Sequence, residues 1–372
     1  MSRRLLITGG AGFIGANFTR SWCDSHPGDR VVVLDALTYA GNLASLASLC
    51  EQGRIRFERG DIRDFDLVCD LLSGEQLDTI VHFAAESHVD RSIHGPAQFV
   101  ATNVTGTQTL LDAARRVWLK AGTSRHRFHH ISTDEVYGSL APTDPAFRET
   151  TPYDPRSPYA ASKAASDHIV RAYGHTYGID YCISNCSNNY GPYQFPEKLI
   201  PLCIVNLLEG RPLPIYGDGS NVRDWLHVED HCRAVTLMLE RSPAATTWNV
   251  GGECERTNLQ LVHALCRAVD EAFVRDRSLA ERFPECPAAR GEMSAASITF
   301  VKDRPGHDRR YAIDASRLRE QLEFRPRIEL EAGLRQTVAW YLDNEAWWRS
   351  ILNGSYKDWV NLQYAALPAH DT

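Results

Sequence analysis

The sequence predicts an α/β fold: a doubly wound parallel sheet joined to a smaller C-terminal α+β substrate lobe. Three observations carry this prediction. Over residues 4–190, short apolar runs alternate with longer helix-length segments, the rhythm of β-α units with right-handed crossovers. Gly9, Gly10, Gly12 and Gly15 follow the first apolar run and open the first amphipathic one. After Tyr190 the rhythm breaks, and Pro192, Pro196, Pro201, Pro212 and Pro214 cut the chain into short pieces.

Taken in order, strands are expected at 4–8, 31–35, 55–58, 79–84, 127–132 and 180–186, each a β-branched or apolar run ended by polar or small residues. The intervals 14–24, 43–50, 65–73, 97–119 and 157–177 are long enough for crossover helices. Helical periodicity returns near 228–241, 257–272 and 330–349, while 275–297, with its charges and Pro284 and Pro287, reads as a surface excursion. The stripe Trp340, Tyr341, Trp347 and Trp348 is expected to pack a core rather than stack bases. With no Gly/Ser linker to separate them, residues 1–190 are read as a Rossmann-like dinucleotide domain. Residues 191–372 are read as a second lobe interleaved with it.

The 372 residues carry 40 Lys and Arg against 47 Asp and Glu, a net charge of −7. There is no basic run, so a nucleic-acid polymer is not an expected partner. No apolar run approaches the ~18 residues of a membrane span, and the N-terminal apolar stretch, broken at Gly9, reads as a strand rather than a signal segment. Ten cysteines occur without a C-x-x-C pair, and Cys182, Cys203 and Cys266 sit in apolar runs. This suits buried free thiols in a reducing cytoplasm. His227 and His231 lack the H-E-x-x-H order, and no metal site is expected.

The glycine loop explains the fold's first task. Gly10, Gly12 and Gly15 fit G-x-G-x-x-G, and Gly9, Gly12 and Gly15 fit the G-x-x-G-x-x-G spacing. Such glycines permit a tight turn and close approach of backbone N–H groups to a pyrophosphate at a helix N-terminus. Asp35 ends the second strand twenty residues past Gly15. A carboxylate there accepts from a ribose diol and repels a 2′-phosphate, which favours NAD over NADP. Asp61, followed by Ile62, stands where an acidic group would reach an adenine amine, and the small Ala84 and Ala85 leave room after strand four.

Tyr159 and Lys163 are spaced i and i+4, which places them on one helix face. A lysine charge is expected to lower the phenol pKa and let Tyr159 move a proton at a carbinol. With the glycine loop and the acidic end of strand two, this pair resembles the extended short-chain dehydrogenase/reductase family, whose members are oxidoreductases, epimerases, decarboxylases and dehydratases of nucleotide sugars.

Within that family, Thr133, Asp134 and Glu135 separate the possibilities. They follow the fifth strand, at the sheet edge where ligands lie, and adjacent carboxyls suit an acid and a base. Residues 84–92 (AAESHVDRS), 190–201 (YGPYQFPEKLIP), 223–228 (RDWLHV) and 303–311 (DRPGHDRRY) further resemble the dTDP-glucose 4,6-dehydratase family, over roughly residues 3–365. The resemblance implies catalytic roles for Thr133, Asp134, Glu135, Tyr159 and Lys163. It implies oxidation at C4 of the sugar, loss of water across C5 and C6, and hydride return to C6. It places Gly9, Gly12, Phe13, Ile14, Gly15, Asp35, Leu37, Thr38, Asp61, Ile62, Ala84, Ala85, Thr102, Tyr159, Lys163 and Asn189 at NAD. It places Ser87, Thr133 and Asn188 at the sugar, with His88 either there or packing its own loop. Lys198, Leu199, Pro214, Ile215, Tyr216, Arg223, Asn258, Arg304, His307 and Asp308 would meet the nucleotide diphosphate, whereas Arg309 and Arg310 are read as ordinary ion-pair partners. It also implies a homodimer through helices near 97–119 and 157–177. Another nucleotide-sugar dehydratase, a 4-epimerase or decarboxylase, and a non-catalytic NAD-sensing module remain as alternatives.

Overall fold

The computed structural model describes residues 2–120, 122, 126–303 and 306–352. These fall into two compact units that alternate along the chain. The first runs to Ser187 and is joined by Val228–Gly251 and Tyr311–Arg325; the second contains Asn188–His227, Gly252–Arg310 and the chain from Pro326 on.

In the first unit, β1 (Arg4–Thr8), α1 (Phe13–Ser25), β2 (Arg30–Asp35), α2 (Ala47–Glu51), β3 (Arg56–Arg59), α3 (Phe65–Gly74) and β4 (Thr79–His82) come first. Then follow α4 (Val89–His94), α5 (Pro96–Phe99), α6 (Thr107–Ala114), β5 (Arg127–Thr133), α7 (Pro158–Tyr177) and β6 (Tyr181–Cys186). All strands pair in parallel. The sheet order is Thr246–Val250, β6, β5, β4, β1, β2, β3. The strands read as near-continuous apolar runs because helices cover both faces: Leu5, Leu6 and Ile7 are all fully buried. Leu6, Val32, Leu34, Ile80, Phe128 and Ile183 share one cluster with Leu71 of α3 and Leu110 of α6. The chain builds outward from β1 to β3, then returns to place β4 on the other side of β1. The strand order therefore reverses between β1 and β4, the switch point beyond whose C-terminal ends ligands bind in sheets of this kind.

Two helices of this unit set the site. Ser157 caps α7, its Oγ accepting from the Ala160 N–H at 3.1 Å, with Pro158 in the first turn and left-handed Gly178 closing the far end. Between α5 and α6, Val100–Gly106 forms wider i→i+5 turns, and Arg115–Leu119 repeats them after α6. Such bulges often mark functional positions.

The interleaved second lobe read at 191–372 has other bounds in the structure. The stretch Val228–Gly251 returns to the first unit because Thr246–Val250 supplies its seventh strand and the helix Val228–Arg241 packs on α1.

The second unit holds a three-stranded sheet, with Val222–His227 between antiparallel Glu255–Thr257 and parallel Asn188–Tyr190. A parallel pair joins Leu213–Tyr216 to Ile298–Val301. Its core gathers Tyr190, Ile204, Leu265, Val338, Tyr341 and Trp348, with Trp340 and Trp347 packed against it, so the aromatic stripe is core. Segment 275–297 is not a surface excursion: Leu279, Phe283 and Cys286 are buried in this same cluster. The helix Leu199–Leu208 forms through Pro201, which sits in the first turn, where its missing N–H is not needed. The described residues include all ten cysteines, and all are free thiols, seven of them buried.

Candidate active site

The glycine loop is held by steric necessity. Gly9 has φ +69°, and a Cβ there would lie 2.5 Å from the backbone N of Ala84. A Cβ on Gly15 would lie 2.2 Å from the Gly9 carbonyl oxygen. Gly12 caps α1 without a side chain, so the N–H groups of Phe13, Ile14 and Gly15 open the helix with no intrahelical acceptor. Asp35 is buried and ties this loop to β2: its Oδ2 accepts from the Ala11 N–H at 2.9 Å and its Oδ1 from the Leu37 N–H at 2.8 Å. Burial pushes its carboxyl up, and the two N–H groups pull it back. The loop thus fits a dinucleotide pyrophosphate, with Asp35 at the end of β2, where a ribose would lie. Asp61 is turned to solvent and forked by Arg63 at 2.6–3.0 Å, which holds its carboxyl below the usual range. Ile62 is buried, and Thr102 lies in the wide turns before α6, accepting from Gln98 at 3.4 Å.

The end of β5 resolves how adjacent carboxyls act together. Thr133 accepts from the Glu135 N–H at 3.3 Å and starts a 3-10 turn, Asp134–Tyr137. The turn cancels the strand's alternation, and both carboxyls act on the Tyr159 phenol, to which the Thr133 hydroxyl is hydrogen-bonded. Asp134 is buried. Burial first, and then the Glu135 charge, push the Tyr159 phenol well above its ordinary value, while the bond with Thr133 pulls it down. Lys163 is not among the main influences on the phenol. The Lys163 ammonium instead donates to the Ile131 carbonyl at 2.8 Å and lies 3.4 Å from His130 Nε2. Burial brings its pKa down to about 8.

The loop after β4 is pinned by a residue absent from the expected set. Asn103 accepts from the Glu86 N–H at 2.9 Å and donates to the Glu86 carbonyl at 3.0 Å and to Ser162 Oγ at 2.8 Å. It thereby clips the Ala84–Ser87 loop to α7. An isolated asparagine in an otherwise helical 97–119 was the only hint in the sequence. His88 is buried, and its ring caps α4 through the Arg91 N–H at 3.5 Å; Ser87 beside it is exposed.

In the second unit, Arg223 is buried and donates to the carbonyls of Val222 at 2.8 Å and Asp308 at 3.0 Å. Asn221, also missed in the sequence, donates to the same Asp308 carbonyl at 3.1 Å, and its own carbonyl accepts from the Asn258 N–H at 2.9 Å. His307 Nδ1 meets Asp303 at 2.6 Å, with the Tyr216 ring edge-on at 6.1 Å. Ile215 is buried between half-buried Pro214 and Tyr216. Asn188 and Asn189 lie on one strand, the Asn189 carbonyl accepting from Gln194 at 3.0 Å. Lys198 precedes the helix that Leu199 begins. Arg310 forks Glu255 at 2.6 and 2.9 Å, an ordinary ion pair. Arg304 lies outside the described residues.

Comparison with known proteins decides among the sugar-nucleotide chemistries. A family model described as GDP-mannose 4,6 dehydratase matches residues 6–337. The dTDP-glucose 4,6-dehydratase of Xanthomonas campestris is 52% identical over 95% of this chain and 97% of its own length. The chain belongs to the dTDP-glucose 4,6-dehydratase family. The Salmonella typhimurium member is 48% identical over 97% of this chain and 99% of its own. A Streptomyces venezuelae member, solved with NAD and TYD bound, is 47% identical, with a TM-score of 0.81 over 94% of this chain and 99% of that one. A UDP-glucose 4-epimerase of Thermotoga maritima, solved with UDP-glucose, is 26% identical with a TM-score of 0.76, covering 92% of this chain and 99% of that one. The fold is thus shared with epimerases. The dehydratase family differs in its acid–base requirement, which the Asp134–Glu135 turn fits.

Proposed function

We propose that this chain is an NAD-dependent dTDP-glucose 4,6-dehydratase, forming dTDP-4-keto-6-deoxy-glucose and water. The carrying observation is the 3-10 turn that gathers Thr133, Asp134 and Glu135 around the Tyr159 phenol; full-length identity of 48–52% to the family's named members supports the substrate. Gly9, Gly12, Phe13, Ile14, Gly15 and Asp35 would hold NAD. NAD bound there would supply the hydride acceptor for the sugar C4 and the hydride donor for C6.

The chain's own residues move the protons. Tyr159 takes the proton of the C4 hydroxyl, with Thr133 orienting that hydroxyl and the phenol. The C4 ketone so formed acidifies the C5 proton, which Glu135 removes. Asp134, buried beside the phenol, is the acid that gives a proton to the departing C6 hydroxyl, which leaves as water. Glu135 then gives its proton back to C5. A base near its target contributes about 10²–10⁴ to such a step. Ser87, Asn188 and His88 would orient the sugar. Lys198, Arg223, Asn258, Arg304, His307 and neighbouring turns would hold the diphosphate, guanidinium contacts being suited to phosphate oxygens.

The reading extends to a homodimer in a reducing cytoplasm. The exposed apolar residues Val100, Leu119 and Tyr177 lie on the two helical stretches named for the dimer, and ten free thiols suit that compartment. Sedimentation of the purified protein measures the first. The function is tested by mass spectrometry of products from dTDP-, UDP-, CDP- and GDP-sugars. A keto-deoxy product from dTDP-glucose is expected, and recovery of dTDP-galactose alone would overturn the assignment.

A further inference from the structure

The helix α7 carries a second feature that the proposed proton movements leave unused. Tyr159, Lys163, Asp167 and Arg171 recur every four residues, so they form one stripe along the helix. Asp167 has no exposure at all, and neither does His130 of β5; Lys163 is 4% exposed. His130 Nε2 stands 3.2 Å from Asp167 Oδ1, 3.4 Å from Lys163 Nζ and 3.2 Å from Ser166 Oγ, so the ring lies beside both charged groups. The other Asp167 oxygen accepts from the Tyr153 hydroxyl at 2.8 Å. Tyr153 in turn accepts from Arg171 at 2.8 Å and Asn185 at 3.1 Å. A buried carboxylate is strongly unfavourable unless something balances its charge. Here the cations that act on it are the lysine of the proposed catalytic pair and Arg171.

We propose that Asp167, with the His130 ring beside it, is a positioning residue: its buried carboxylate keeps Lys163 an ammonium on the helix face it shares with Tyr159. The inference rests on the reading of Lys163 as part of the catalytic pair. The groups facing Lys163 come from four elements. On α7 they are Tyr159 and Asp167; on β5, His130 and the Ile131 carbonyl; on β4, His82; on β6, Cys186. Asp134 and Glu135, in the turn after β5, act on Tyr159. Burial depresses His130 to about 4 and His82 well below its ordinary value, and it lifts the Cys186 thiol to about 12. These three are therefore neutral near pH 7, and Asp167 supplies the negative charge. Its attraction is the largest influence opposing the desolvation that brings Lys163 to about 8.

The isosteric variant Asp167→Asn tests this in the full-length protein. Lysine labelled with ¹³C at Cε reports the Lys163 titration directly, the resonance being identified by its loss in Lys163→Met. The wild-type midpoint is expected near 8, and in Asp167→Asn it should fall by about one unit or more, the usual effect of removing a close opposite charge. The alkaline limb of turnover with dTDP-glucose should move to lower pH by a similar amount, while KM for dTDP-glucose stays within about twofold. Tyr153→Phe keeps the carboxylate and should leave the midpoint in place. An unchanged Lys163 midpoint in folded Asp167→Asn would overturn the inference. Should Asp167→Asn fail to fold, the double variant Asp167→Asn/Lys163→Met decides: recovery of the fold supports charge balancing, and continued failure makes Asp167 a packing residue and overturns it. If wild-type protein makes no keto sugar, the functional reading falls, yet the midpoint still decides whether Asp167 controls Lys163.

Discussion

Replacing Gly9 with alanine perturbs the cofactor loop at its tightest point. The position has φ +69°, a conformation that costs a non-glycine residue roughly 1–2 kcal/mol. The new Cβ would lie 2.5 and 2.6 Å from Ala84 N and Cα, and 2.9 Å from the Phe83 carbonyl carbon. All three are backbone atoms leaving β4, so no side chain can swing aside. Against an ordinary separation of about 3.5 Å, the strand exit must retreat by about 1 Å. Overpacking of this kind costs about 1–3 kcal/mol, giving about 2–5 kcal/mol in all. Gly12 is the control within the same loop: its φ is −80°, and its nearest contact to an added Cβ is 3.3 Å. Gly12→Ala should lose no more than about 1 kcal/mol of stability yet weaken NAD, because its methyl group stands where the backbone approaches a pyrophosphate. Urea unfolding followed by circular dichroism, together with calorimetric titration with NAD, measures both effects. Gly9→Ala with stability within about 0.5 kcal/mol of wild type, a typical surface substitution, and unchanged NAD affinity would refute the steric argument.

Other consequences are open to direct measurement. Glu135→Gln should still bind NAD and dTDP-glucose by calorimetry but lose product formation by about 10²–10⁴; unchanged turnover would remove it as the base. Tyr159→Phe should slow the first appearance of NADH absorbance in a single turnover by about 10² or more. Asn103→Leu leaves the Glu86 N–H and carbonyl without their partner and should destabilise the protein by about 1–3 kcal/mol, seen as a lower urea midpoint. Lys163 titrates near 8 when folded against an ordinary 10.5. Between those values the unfolded chain binds more protons, so this lysine's contribution to stability rises with pH across that window. Wild-type protein should accordingly gain stability relative to Lys163→Met between pH 8 and pH 10.

Local chemistry made much of this protein legible. The helix expected at 228–241 spans Val228–Arg241, because a strong apolar period and acidic first-turn residues mark it without help from the rest of the chain. The glycine loop and the Tyr159–Lys163 spacing were equally readable, since each is a motif a few residues long. Local signals misled where a residue's meaning depends on position in an element. Pro201 reads as a breaker but falls in a first helical turn. The charged 275–297 hid Leu279, Phe283 and Cys286, which only neighbouring helices turn into core.

The sequence by itself therefore determined the class of sheet, the dinucleotide loop and the residue types able to do acid–base work. Tertiary structure alone decided three things. It returned Thr246–Val250 to the sheet as a seventh strand, a pairing between segments sixty residues apart. It brought the charges of Asp134 and Glu135 to bear on one phenol, in a 3-10 turn at the end of β5. It set Asp167 and the neutral His130 beside Lys163, where burial makes the Asp167 charge matter. The physical reason is common to all three. Hydrogen-bond periodicity is written in neighbouring residues, whereas desolvation and charge pairing arise only when distant segments exclude water together.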